Sequence, residues 1–178
     1  MISFLSKILP KKLLINIYKT LPIPYKLKTW IIWRANKRFL VAVLGIILNS
    51  ENKVLLLKHT YRKNPWGIPS GWLEYENPET GLIREIFEET NFKVKIEKLI
   101  YTEHVTAPHR VNIFYLGEYI SGEFKSNAEI TEYKFFDIND LPDDCNISKD
   151  LKVLIEKLIN YEGSKFIEDK SYGKNYCD

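Results

Sequence analysis

Three glutamates, Glu85, Glu88 and Glu89, stand at positions i, i+3 and i+4 of a stretch rich in helix-forming residues. On a helix they span an arc of roughly 100°, so a single edge presents three carboxylates side by side. Like charges at this spacing each cost an isolated helix about 0.2–0.5 kcal/mol. A row of hard oxygen ligands suits Mg²⁺ or Mn²⁺, above all where a substrate adds phosphate oxygens. Acidic helix faces are also common as solvated surfaces, so the neighbouring residues decide the matter. Arg84 adjoins Glu85 and offers a guanidinium fork to a carboxylate. Ahead of the helix lies Pro69-Ser70-Gly71-Trp72-Leu73-Glu74-Tyr75-Glu76, a small-residue loop with two further carboxylates, Glu74 and Glu76. Backbone in such a loop can approach a ligand closely.

The elements that must position these groups follow from local pattern. Asn77 is placed to cap a helix, Pro78 to occupy its first position and Glu79 to meet the positive end of its dipole. The helix is predicted to run to about Thr90 and to end on Asn91 in the left-handed conformation. Leu82, Ile83, Ile86 and Phe87 are expected to form its packing arc. Upstream, residues 39–48 are β-branched and too short for a buried helix, which predicts a central strand. Asn49–Asn52 supply turn chemistry, and residues 53–58 return as a second strand of a hairpin. Strands are expected at residues 92–105, 111–120 and 130–136, and a helix at about 148–161 with Leu151, Leu154, Ile155, Leu158 and Ile159 on one face. The order predicts a mixed α/β (α+β) domain with helices packed on a sheet.

The helix and its preceding loop resemble the signature of the Nudix hydrolase family, G-x5-E-x7-R-E-U-x-E-E-x-G-U, with U a bulky aliphatic. Arg84-Glu85-Ile86-Phe87-Glu88-Glu89-Thr90-Asn91-Phe92 follows its second half, and Glu76 falls on its first glutamate. Strict counting places Ser70 on the leading glycine; Gly71 fits that role if the loop between Glu74 and Glu76 is one residue shorter than usual. Asn91 replaces the late glycine, and Phe92 is aromatic rather than aliphatic. The resemblance extends through Trp66-Gly67-Ile68-Pro69 and residues 132–142 to cover about residues 39–160. It implies a mixed sheet sandwiched by helices, and a divalent-metal-dependent hydrolase cleaving the pyrophosphate of a nucleoside diphosphate linked to another group. By matched position, Glu85, Glu88 and Glu89 would bind Mg²⁺ (or Mn²⁺), with Glu85 or Glu89 orienting or deprotonating the attacking water. Arg84 and Glu76 would position the catalytic carboxylates. The family sometimes draws its base from a later loop, which makes Glu129 a candidate base or fourth ligand. Glu74 could reach a metal through water.

For the substrate, Arg62 and Lys63 lie on the loop into Trp66 and could meet phosphates. Trp66 and Trp72 offer flat faces to a base, or fill the core. His104 and His109 flank a turn beside Arg110, where capping is the simpler role.

The chain has 178 residues, 45% hydrophobic and 28% charged, which excludes disordered, collagenous and disulfide-framework classes. Its net charge of +3 conceals an asymmetry. Residues 1–39 hold nine Lys and Arg and no acid, leaving 17 bases against all 23 acids in the remainder. The expected organisation is a basic helical arm (1–38), a catalytic domain (39–162) and a polar tail (163–178). The arm could contact RNA or an anionic membrane, or make a homodimer contact through Trp30–Trp33. No run is long enough to span a bilayer, and a cytoplasmic location is expected. Two alternatives to a small-molecule hydrolase are a non-catalytic nucleotide sensor and an RNA 5′-end pyrophosphohydrolase that uses the arm.

Overall fold

The computed structural model describes residues 24–35 and 37–162. Residues 1–23 of the expected basic helical arm, and the polar tail, lie outside them. The backbone divides between Phe39 and Leu40 into two compact units. Of the first, helix α1 (Tyr25–Ala35) is described; its Trp33 ring lies 3.5 Å beneath the Arg38 guanidinium, and Trp30 and Trp33 are more than half exposed. Among the described residues no helix is long and apolar enough to cross a membrane.

The second unit is built on a mixed sheet of seven strands: β1 (Leu40–Leu48), β2 (Val54–His59), β3 (Trp66–Gly67), β4 (Ser70–Trp72), β5 (Lys93–Thr106), β6 (His109–Ser121) and β7 (Ile130–Phe136). β1 runs parallel to β6 along its whole length, from Leu40 opposite Arg110 to Leu48 opposite Glu118. β5 and β6 form a long antiparallel hairpin, and β7 pairs with β2. The hairpin expected from β1 and β2 closes on a single pair, Leu48 with Val54, and then splits. Beyond that point the free edge of β2 is taken by β3, and that of β1 by β4. Residues 66–72 therefore cross a fork in the sheet, and this fork sets the position of the site.

Each face of the sheet carries one core layer. Val43, Ile47, Leu55 and Leu57 pack under Leu82 and Ile86 of helix α2 (Pro78–Thr90). Ile46, Leu48, Leu56, Phe114 and Leu116 pack under Leu151 and Ile155 of helix α3 (Lys149–Glu162). Alternation along β1 sends successive side chains to the two layers, as a strand buried on both faces requires.

Helix α2 begins and ends as its sequence predicts. The Asn77 side chain accepts from the Glu79 amide at 3.1 Å, and Asn91 closes the helix at φ 64°, ψ 20°. Its packing arc, however, is rotated from the expected one. Gly81, Leu82, Ile86, Glu89 and Thr90 are buried, whereas Ile83 and Phe87 are 39% and 49% exposed. The helix meets the sheet along a line through 82, 86 and 89, which drives a glutamate inward in place of two apolar side chains.

Candidate active site

β4 holds the loop residues against β1, with Ser70, Gly71 and Trp72 opposite Leu44, Val43 and Ala42. Backbone hydrogen bonds from Gly45 to Pro69 and from Leu73 to Val41, each 2.9 Å, pin the segment at both ends. A β-carbon on Gly71 would overlap the Glu85 carboxyl, so only glycine lets α2 lay that side chain on the strand. This agrees with Gly71, not Ser70, as the loop glycine.

Arg84 is the organising cation. Its Nε and Nη2 donate to Glu76 at 3.0 and 2.7 Å, and Nη1 donates to Glu85 at 2.9 Å and Glu88 at 3.3 Å. The Glu76 hydrogen bond is the largest influence holding the guanidinium protonated. The carboxylates that face the cleft behave differently. Burial, opposed by Arg84 but reinforced by Glu88 and Glu74, leaves the Glu85 carboxyl above its ordinary value. Glu89 is 7% exposed, and its Oε2 has no hydrogen-bond partner. Burial first, then the charge of Glu85, pushes its carboxyl up to about 8, against the opposing pull of Arg62 and the Ser70 backbone.

Glu85 and Glu89 open into a cleft of about 720 Å³ lined also by Arg62, Gly71, Trp72, Arg110, Asn112 and Glu129. Arg62 is steadied by Ser70, Nη2 donating to Oγ at 3.4 Å. Glu129 arrives through Asn127, whose Nδ2 donates to the Glu88 and Glu89 carbonyls at 3.2 Å while Oδ1 accepts from the Glu129 and Ile130 amides at 2.9 and 2.8 Å. One side chain thus satisfies two carbonyls near the end of α2 and fastens the later loop beside Glu89.

The structure brings together Arg62, Gly71, Glu85, Glu89 and Glu129. Glu88 is turned toward Arg84, and Glu74 and Lys63 are exposed and stand off the cleft lining. Among the described residues no three ligating side chains converge on one point. The expected substrate role of Trp66 is corrected: it is 7% exposed, edge-on to Phe136 at 5.2 Å, and belongs to the core under α3. β3 pairs with β2 rather than β1, which turns that ring inward; Trp72, on β4, faces the cleft. Sequence reasoning missed Asn112 and Asn127. An Asn two residues before Glu129 is an Asx-turn signal for the second; nothing local marks the first.

The carboxylates on the lining, Glu85, Glu89 and Glu129, offer oxygen ligands, and the buried Glu89 Oε2 lacks a partner, which fits the chemistry of a hard divalent cation. The model of the NUDIX domain matches residues 38–157. The chain belongs to the Nudix family. This Nudix chain is 37% identical over 111 residues to an ADP-ribose pyrophosphatase of Methanocaldococcus jannaschii, a match covering 57% of the chain and 64% of that relative. It is 26% identical over 118 residues to the NAD-capped RNA hydrolase NudC of Vibrio atlanticus, covering 65% of the chain and 44% of that protein. The chain therefore spans less than two thirds of the length of these curated relatives. Among solved structures, a UDP-X diphosphatase superposes with a TM-score of 0.62 at 22% identity, over 86% of this Nudix chain and 79% of the other. That likeness bears on the fold alone.

Proposed function

We propose that this Nudix protein is a divalent-metal-dependent hydrolase that cleaves the pyrophosphate of a nucleoside diphosphate joined to a second group, with ADP-ribose the first substrate to try. The observation that carries the reading is Glu89: a carboxylate buried at the cleft wall, with one oxygen unpartnered, sharing the lining with Glu85 and Arg62 and feeling the charge of both. Evolution of a merely stable helix would place an apolar residue there. The 37% identity to a protein named ADP-ribose pyrophosphatase supports the choice of substrate.

Glu85 and Glu89, which line the cleft, would hold Mg²⁺ or Mn²⁺, joined by Glu88 once its side chain leaves Arg84. When bound, the ion offsets charge building on the phosphate oxygens and makes a bound water more acidic. The protein's own contribution is positional. Arg84 fixes Glu85 through a fork anchored on Glu76, Gly71 gives that carboxylate room, and Arg62, held by Ser70 on the same cleft lining, would meet the phosphate. Glu129, tethered by Asn127 and on the same lining, would take a proton from the attacking water with Glu85 and Glu89 engaged as ligands.

The test is AMP release from ADP-ribose with Mg²⁺ and with EDTA, for wild type and Glu89→Gln. Metal-dependent turnover that falls by orders of magnitude in the variant is expected. Binding without turnover for every nucleotide tried would favour a sensor instead. A second reading, hydrolysis at the 5′ end of RNA, is favoured by the acid-free basic residues 1–39 and the likeness to a NAD-capped RNA hydrolase. It requires capped RNA to outcompete ADP-ribose, with an advantage that fades as salt is raised.

A further inference from the structure

We propose that the end of the cleft formed by β1, β4 and β6 is a nucleobase slot for a base that carries an exocyclic amine beside a ring nitrogen, adenine in the case of ADP-ribose, with Asn112 and Arg110 as its specificity-determining residues; this rests on the pyrophosphohydrolase reading above. Strand pairing sets Trp72, Ala42 and Asn112 in one cross-strand row, Ala42 opposite Trp72 on one side and Asn112 on the other. All three line the cleft. The methyl of Ala42 is the floor of a gap between an indole and an amide. Trp72 is 49% exposed, an apolar face that a stacked ring would cover. The layer under α3 closes over Ile46 and Leu48 but leaves the Ala42 end of the strand open to the cleft.

The polar groups of the slot await a ligand. Asn112 is 5% exposed. Its Nδ2 donates to Glu103 Oε2 at 3.4 Å, an atom that can only accept, so the amide orientation is set and Oδ1 is turned away. That Oδ1 has no partner, nor has the buried Nε of Arg110, two residues earlier on the same face of β6. Buried groups left in this condition are costly, and a ligand that pairs them recovers the cost. It must bring a donor to Asn112 and an acceptor to Arg110 on a flat ring. Phosphate has no ring and offers only acceptors to the Asn112 oxygen; a sugar has no flat face. Adenine carries an exocyclic amine flanked by a ring nitrogen acceptor on either edge, so it presents the required pair whichever edge enters. Seated in the same pose, hypoxanthine sets its carbonyl against the Asn112 oxygen where adenine has the amine, and on its six-membered edge sets N1–H against the Arg110 donor, so the order of the pair is reversed.

The experiment compares kcat/KM for ADP-ribose and for its hypoxanthine analogue, and measures AMP binding by calorimetry, in wild type, Asn112→Ala, Arg110→Gln and Ala42→Leu, with circular dichroism and thermal midpoints establishing that each variant folds. Wild type should prefer ADP-ribose by about tenfold or more, since a site built to pair a donor rejects its absence strongly. Asn112→Ala should raise KM for ADP-ribose about 10–100-fold and bring the ratio of the two substrates near one, on the same ground. Arg110→Gln repeats that test at a half-buried position, and Ala42→Leu should abolish AMP binding by filling the floor. Turnover of ADP-ribose with no preference between bases, or a preference that survives Asn112→Ala, overturns the slot and leaves the hydrolase reading standing. If nothing is hydrolysed but AMP binds and is lost in Asn112→Ala and Ala42→Leu, the hydrolase reading fails and the slot stands.

Discussion

Replacing Glu89 by glutamine should stabilise the metal-free protein while abolishing its turnover. The carboxyl is 7% exposed and sits at about 8, against an ordinary 4.5 that the unfolded chain restores. Between these two values the native state holds a proton that the unfolded state has released. Stability must therefore decline as pH rises through the window. At pH 7, about 2.5 of the roughly 3.5 units between these values have been crossed, a cost of about 3 kcal/mol on the scale of 1.36 kcal/mol per unit. Glutamine has the same shape, carries no proton to lose, and escapes this cost. For a chain of this length the gain corresponds to a rise in Tm on the order of 5–10 °C.

The assay is urea unfolding in EDTA at pH 5, 6 and 7, for wild type and Glu89→Gln. The gap between them should be about 1 kcal/mol at pH 5 and widen to about 3 kcal/mol at pH 7. Added Mg²⁺ should then raise the stability of wild type and not of the variant, because a ligand bound only to the native state stabilises it by mass action. Metal binding by wild type near pH 7 should also release protons, a quantity that calorimetry in buffers of different ionisation heat reads directly. A Glu89→Gln protein that is less stable than wild type in EDTA at pH 7, or a gap independent of pH, would refute the argument that this carboxylate is buried at the expense of the fold.

Gly71→Ala forces the Glu85 carboxyl off β4 and should lower kcat/KM by about 100-fold, the usual consequence of displacing a reacting group by an ångström, with little change in CD spectrum. Arg84→Lys keeps the charge but cannot span Glu76, Glu85 and Glu88 together; kcat should fall about 10–100-fold with KM nearly unchanged, measured on the same substrate. His59 is 2% exposed, neither ring nitrogen has a partner, and burial followed by the charge of Arg62 pulls it down to about 4. Here the unfolded state binds the extra proton, so stability should drop as pH falls from 6.5 toward 4, by about 2 kcal/mol at pH 5, and His59→Leu should flatten that part of the urea-unfolding pH profile.

The parts of this site that were legible in the sequence are those whose geometry is local. Asn77, Pro78 and Asn91 announce both ends of α2 because capping depends on residues within a turn of the end. The spacing of Arg84, Glu85, Glu88 and Glu89 is itself the chemistry, though of the expected row the structure turns Glu85 and Glu89 to the cleft and Glu88 to Arg84. Which edge of the helix is buried was not legible. Ile83 and Phe87 are better hydrophobes than Glu89, yet the line of contact with the sheet runs through 82, 86 and 89, and only the angle at which α2 crosses β1 decides this. The two tryptophans make the same point. Trp66 precedes a glycine and Trp72 follows one, so local sequence treats them nearly alike. One is core and the other lines the cleft because β3 joins β2 and β4 joins β1 across the fork. Asn112 is farther still from local sight. It meets Ala42 through a parallel pairing that no turn announces, since parallel strands are joined by long crossovers rather than hairpins. Glu85 and Glu89 come from one contiguous motif, whereas Ala42, Arg110 and Asn112 come from strands remote from it in sequence. Substitutions at 42, 110 and 112 can therefore alter what enters the cleft without disturbing the helix, which is why a reading of the motif reaches the reaction class and halts before the substrate.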